Sequence, residues 1–368
     1  MTEPPAHSPI APPSPEAAAV AQERLAGLAT PPGALGRIGE VGAWLAAAQG
    51  EVPPRALTDV RLVVLAGDHG VAAHAVSAYP AAVTEAMVRT IVAGRAGVSA
   101  LAAEHGVAVS VVDVAVDADL SDLPATVTAR KVRRGSGAIH LTDALSRGEA
   151  ERSLRLGAEL AGELVDDGAQ LLMTGDLGIG NTTVAAALVA AMLGLPADEV
   201  TGRGTGVDDA GWVRKRDVVA QALARTGHLG HGGGADPVAV LTALGSADLA
   251  ATTGFLVECS RRGAPVVLDG LMSLACAVVA EALAPGASAW WLAGHRSTEP
   301  AQAHALKSLG LDPLLDLDMR LGEGSGAVAA LPVLRSGIAV LRDVALLSEV
   351  LPGPPGPSAS SGPSASAS

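Results

Sequence analysis

Six short apolar runs recur along the chain with helix-length segments between most of them, and this alternation narrows the folds open to it. The runs are Val60 to Ala66, Val107 to Val114, Thr126 to Val132, Ala169 to Thr174, Ala264 to Leu268 and Ser288 to Ala293, and they read as buried strands. Helical patterns fill Ala81 to Glu104, Asp143 to Asp166, Asp236 to Arg262 and Leu271 to Ala284. Strands alternating with helices predict an α/β fold with a mainly parallel, Rossmann-like doubly wound sheet of about six strands. Two helical pieces, Pro15 to Gln49 and Val328 to Val350, stand outside the alternation and come from opposite chain ends. They predict a small helical domain built from both. The expected organisation is a disordered tail over 1–14, a helical part over 15–58, an α/β catalytic domain over 59–326, a returning helix over 327–350 and a disordered Pro/Ser/Ala tail over 351–368.

Composition excludes several partners. A net charge of −13 argues against nucleic acid or an anionic membrane, so an anionic substrate needs a local positive site. Cys259 and Cys276 lie in apolar, Ala-rich helical patterns and read as buried free thiols of a reducing compartment. The N-terminus lacks a basic segment followed by an apolar core, and charges and glycines break the Ala/Val runs, so a cytoplasmic location is expected. The nine histidines are scattered without metal-ligand spacing, and no metal is expected. Aromatic residues make up only 2%, so a pocket for a flat ring must be built mostly from aliphatic side chains.

Open parallel sheets bind ligands beyond the carboxyl ends of their strands. The first run ends in Gly67-Asp68-His69-Gly70-Val71, where Asp68 and His69 are open to acid–base work or to a turn capped by Asp68. Ser77-Ala78-Tyr79-Pro80 follows, with the only tyrosine. The fourth run enters Gly175-Asp176-Leu177-Gly178-Ile179-Gly180-Asn181-Thr182-Thr183, a glycine-rich turn opening a helix, which suits phosphate. It is neither a P-loop nor a dinucleotide fingerprint. Asp176 within it is a candidate carboxylate. Thr201 to Asp209 leads to a helix over Trp212 to Arg225 whose Arg214, Lys215 and Arg216 form either a local cationic site or a solvated face. Glu299, after the sixth run, is also a first-turn helix acid. Finally, Leu321-Gly322-Glu323-Gly324-Ser325-Gly326 encloses one acid among three glycines, which let a backbone approach a ligand closely.

Together these segments resemble the nicotinate-nucleotide:dimethylbenzimidazole phosphoribosyltransferase family. The resemblance spans roughly residues 16 to 350 and rests on seven motifs in the family's order: Pro31 to Arg37, Gly67 to Val71, Val76 to Pro80, Gly178 to Thr183, Gly204 to Asp209, Val267 to Gly270 and Met319 to Gly326. It implies a homodimer and a transfer of 5-phosphoribose from nicotinate mononucleotide to 5,6-dimethylbenzimidazole without metal or cofactor. Glu323 matches the family's catalytic glutamate, and Asp176 stands where a second glutamate is usual, one methylene shorter. The phosphoribosyl site is expected at Gly178, Gly180, Asn181, Thr182, Gly204, Thr205, Gly206, Lys215, Gly322, Gly324 and Ser325. The base pocket is expected at Ser77, Tyr79, Ala86 and Met87. Ala86 replaces a usual glutamine and Ala34 a usual serine. Two rival classes are weaker. A nicotinamide-dinucleotide oxidoreductase would carry its glycine fingerprint after the first strand, and a nucleotide-binding sensor would have no need of Glu323.

Overall fold

The computed structural model of the chain describes residues 9–230 and 234–351, so residues 1–8 and 352–368, most of both expected tails, lie outside the described residues. Contacts divide the chain into two compact units, one of residues 1–13 and 56–335, the other of residues 14–55 and 336–368.

The larger unit holds a six-stranded, all-parallel sheet in the order β2-β1-β3-β4-β5-β6. Its strands are β1 (Val60–Gly67), β2 (Ala108–Ala115), β3 (Leu171–Leu177), β4 (Val266–Leu268), β5 (Trp291–Arg296) and β6 (Pro313–Asp316). β3 is buried throughout and β1 almost so, as apolar strands covered by helices on both faces must be. Because β1 lies between β2 and β3, the chain reverses its direction of travel across the sheet there. This creates the switch point at which such sheets open a crevice.

Two sequence expectations need correction. Thr126 to Val132 is not a strand: Pro124 starts a single helical turn, Ala125–Thr128, and only Val132 reaches back to bond the Val114 carbonyl. The sixth strand is instead β6. Its half-buried edge position tolerates Pro313 as first residue. Two expected helices are also divided. Gly94, at φ 69°, separates Ala82–Val92 from Gly97–His105. Gly245 separates Pro237–Leu244 from Ala247–Arg261, and Ser246 caps the second by accepting from Leu249 N–H. This break sets Asp248 in a helical first turn, where a carboxylate is favoured.

Glycine sets the closest helix contact of this unit. A Cβ on Gly157, in Arg147–Asp166, would lie 1.8 Å from the Ala251 carbonyl, and one on Gly254 2.0 Å from that of Leu154. The strip from Ile10 is anchored here: Ile10 N–H donates to Pro285 O (2.8 Å) and the Trp290 indole to Ala11 O (2.9 Å). Cys259 and Cys276 are both buried free thiols. The stretches 82–105 and 325–343 have the length and apolarity of a membrane span, but the first is two helices and the second is half buried within the protein.

The smaller unit pairs Pro15–Gly27 with Gly36–Gln49 and the end of Ser325–Asp343 around Ala21, Ala43, Ala46 and Leu341. Gly42 and Gly337 permit the contact, since a Cβ on Gly42 would lie 2.5 Å from the Gly337 carbonyl. Of the boundaries between the units, 55/56 lies in the segment before β1 and 335/336 falls inside the last long helix.

Candidate active site

A cleft of about 430 Å³ opens at the carboxyl ends of β3, β4, β5 and β6. β3 and the turn after it contribute Asp176 to Ile179, Asn181 and Thr182, β4 contributes Gly270 to Met272, β5 contributes His295, Ser297 and Glu299, and the segment after β6 contributes Arg320 to Glu323. Tyr79, Val83 and Met87 close one side and Gly204 and Thr205 another. Val83 and Met87 are four residues apart on one face of Ala82–Val92. With Leu177, Ile179, Leu271, Met272 and Leu321 they form an apolar wall facing a polar one, which suits a flat, weakly polar ring.

Glu323 is the most constrained residue of the cleft. Its φ of 61° is left-handed, and Gly322 (80°) and Gly324 (89°) flank it with the same sign. A non-glycine residue held this way costs on the order of 1–3 kcal/mol and persists only where its surroundings enforce it. Here Asp269, just beyond β4, enforces it. Its Oδ2 accepts from Gly324 N–H (3.0 Å), and its Oδ1 from Gly326 N–H (2.7 Å) and Ala327 N–H (3.3 Å). Beneath the loop, Gly175 of β3 leaves space that a side chain would fill, since its Cβ would meet the Glu323 carbonyl at 2.3 Å. Glu323 is 4% exposed, and its Oε2 accepts from Val98 N–H (3.4 Å) in the first turn of Gly97–His105. Burial, opposed by that hydrogen bond and reinforced by Asp269, raises its carboxyl above the ordinary glutamate range. A raised carboxyl facing a cleft is suited to take a proton near neutrality.

Asp176 lines the cleft from the end of β3, with Oδ1 accepting from the Asn181 amide (2.6 Å). Burial first, then the Asp248 carboxyl, push its proton affinity well up. Its carboxyl therefore holds a proton to higher pH than a solvent-exposed aspartate in a turn would.

Behind Thr182, and not lining the cleft, Lys215 is fully buried, its Nζ 2.8 Å from Thr182 Oγ1 and 4.0 Å from Glu299 Oε2. Burial lowers its affinity for a proton and Glu299 partly restores it. The N–H groups of Gly204 and Gly206 are engaged, by Glu299 Oε1 (2.8 Å) and the Arg203 carbonyl (3.0 Å). This corrects their expected role as free donors to an anion. What remains for one at the start of Asn181–Leu193 is Gly178 and the Thr182 hydroxyl with Lys215 behind it, because Ile179 N–H already donates to Thr84 Oγ1 (3.1 Å) and Thr182 N–H to Asn181 Oδ1 (2.8 Å).

The cleft thus brings together Asp176, Gly178, Asn181, Thr182, Gly204, Thr205, Gly322, Glu323, Tyr79 and Met87. Other expected residues do not line it. Gly180 packs on Val71, Gly324 on Leu62, and Ser325 is fully buried. Ser77 Oγ lies 3.3 Å from Thr205 Oγ1. Ala86 is exposed on its helix, turned away from the cleft by the rotation that brings Met87 in. Asp68 is a buried turn acid, accepting from Asp117 N–H at 2.8 Å, and burial raises its carboxyl. Asp248, Asp269, His295 and Arg320 were not singled out from sequence. Only the Asp269-Gly270 step after a strand could have signalled any of them. Among the described residues no group of His, Cys, Asp and Glu could hold a metal ion.

A family model described as phosphoribosyltransferase matches residues 10–350. The nicotinate-nucleotide–dimethylbenzimidazole phosphoribosyltransferase of Mycobacterium avium is 52% identical, over 92% of this chain and 96% of its own length. That of Mycobacterium leprae is 48% identical, over 93% and 96%. The crystal structure of CobT from Thermus thermophilus superposes with a TM-score of 0.86 at 46% identity, covering 91% of this chain and 98% of that one.

Proposed function

Because the chain belongs to the nicotinate-nucleotide–dimethylbenzimidazole phosphoribosyltransferase family, we propose that it transfers 5-phosphoribose from nicotinate mononucleotide to 5,6-dimethylbenzimidazole, releasing nicotinate and forming α-ribazole 5′-phosphate. The observation that carries the residue assignments is Glu323: an acid held in a left-handed backbone, buried, with raised proton affinity and facing an apolar wall.

In this reading the acceptor ring lies against Tyr79, Val83, Met87 and Met272, and its free nitrogen attacks C1′ of the sugar. Positive charge then builds on the ring, and Glu323 as carboxylate removes the N–H proton. The 5′-phosphate rests beside Gly178 and on the Thr182 hydroxyl, with Lys215 behind it as counter-charge. Nicotinate departs with the C1′–N electron pair and needs no proton, because its ring nitrogen is already cationic in the nucleotide. The protein's share is therefore positioning and electrostatics. A homodimer in the cytoplasm belongs to the same reading.

The test is acceptor-dependent release of nicotinate by purified protein. Release only when dimethylbenzimidazole is present supports transfer. Binding of nicotinate mononucleotide without release in the presence of acceptor supports the nucleotide-sensor alternative.

A further inference from the structure

Behind the cleft wall, five buried polar atoms have no hydrogen-bond partner: Asp176 Oδ2, both carboxyl oxygens of Asp248 and both ring nitrogens of His69. They belong to one cluster. Asp248 is fully buried and lies so close to Gly67 that a Cβ there would be 2.4 Å from Oδ1. Its Oδ2 is 3.5 Å from His69 Nε2, and Gly178 leaves room for that ring, since its own Cβ would be 2.7 Å from Nε2. The Asp248 carboxyl also raises the proton affinity of Asp176, at the end of β3 two residues before Gly178. Buried polar atoms are rarely left unsatisfied, and two buried carboxyls in contact cannot both ionise. One proton resolves most of the cluster. Placed on Asp176 Oδ2 and donated to Asp248, with His69 Nε2–H directed at Asp248 Oδ2, it leaves only His69 Nδ1 without a partner. Asp176 is the member whose proton affinity burial raises, so the proton rests there.

We propose that Asp248, backed by His69, is a positioning residue that shares one proton with Asp176 and takes that proton as positive charge develops on the sugar. The inference rests on the transferase reading. As the C1′–N bond breaks, its electron pair leaves with nicotinate. The proton passes from Asp176 Oδ2 to Asp248 and leaves negative charge on the carboxylate that lines the cleft. When the acceptor nitrogen bonds to C1′ and Glu323 takes the acceptor's N–H proton, the shared proton returns to Asp176. The pair gains and loses no proton over the cycle. Asp176 thus acts through charge rather than contact, and a side chain one methylene shorter suffices. The groups facing Asp176 are Asn181, Asp248, Asp269 beyond β4, and Cys276 of Leu271–Leu283, whose thiol is raised by burial and by both carboxyls. His69, from the loop after β1, faces Asp248.

The test combines infrared spectroscopy near neutral pH with kcat and KM across pH, for wild type, Asp176→Asn and Asp248→Asn. Wild type should show the carbonyl band of a buried protonated carboxyl, and difference spectra should show it lost in Asp176→Asn and shifted in frequency in Asp248→Asn. Asp248→Asn should lower kcat by about tenfold or more with both KM values little changed. Its kcat–pH profile should also change shape, because Asp176 without its partner ionises at lower pH. Absence of the band in wild type, an unshifted band in Asp248→Asn, or a kcat loss equal at every pH overturns the proposal. If Asp248→Asn does not fold, persistence of the band in Asp176→Asn overturns it equally. The infrared result needs no turnover, so failure of the transferase reading is seen separately, as absent wild-type activity.

Discussion

At the residue scale, two carboxyls raised by burial do different work. In the proposed reaction Glu323 serves the acceptor as its carboxylate, so activity should rise with pH through its raised ionisation and be lost below it. Glu323→Gln should lower kcat by about 10²–10⁴-fold and remove this acid limb from the kcat–pH profile. A profile with its acid limb unchanged would transfer the role to another group. Asp176 makes the complementary prediction for stability. Its folded proton affinity is well above that of the unfolded chain, so the folded state holds a proton that the unfolded chain has released. Its contribution is thus complete below the ordinary aspartate range and lost as pH rises toward the folded value. Asp176→Asn removes this loss. Calorimetry should show the Tm of Asp176→Asn gaining on wild type from acid to mildly alkaline pH, whereas parallel curves would contradict the account.

At the scale of elements, the active loop is held from across the sheet. The carboxylate beyond β4 ties down three N–H groups at the start of Ser325–Asp343, and glycine in β3 keeps the loop floor flat. Asp269→Asn keeps the shape but weakens the charge-assisted bonds and turns one acceptor into a donor. It should cost about 1.5–3 kcal/mol in denaturant unfolding. It should also depress kcat more than KM, because Glu323 loses its support. A variant of full activity would show the loop to be held otherwise. The sequence made most of this layer legible. Continuous apolar runs marked β1 to β5, and the glycine clusters marked two of the loops that face the cleft. What escaped was set by distance in space. β6 is a four-residue edge strand too short and exposed to carry a pattern. Thr126 to Val132 has strand-like composition, but Pro124 starts a helical turn there. Asp248 and Asp269 stand 72 and 93 residues beyond Asp176 by their numbers, in segments whose local pattern is only that of a helix start and a strand end.

At the scale of the whole molecule, strand order decides where chemistry can occur. The switch point between β1 and β3 opens the sheet, and the segments after β1 and after β3 to β6 line one cleft with apolar side chains and two raised carboxyls, with Lys215 buried behind Thr182. That combination suits moving a sugar between two ring nitrogens by orientation and local charge. The most direct test is the stoichiometry of the complete reaction. Purified protein is incubated with nicotinate mononucleotide and 5,6-dimethylbenzimidazole, and both products are quantified by chromatography and mass, with Glu323→Gln in parallel. The account predicts nicotinate and α-ribazole 5′-phosphate in equal amounts, with both falling together in the variant. Nicotinate without ribazole phosphate, or equal turnover by the variant, would contradict it.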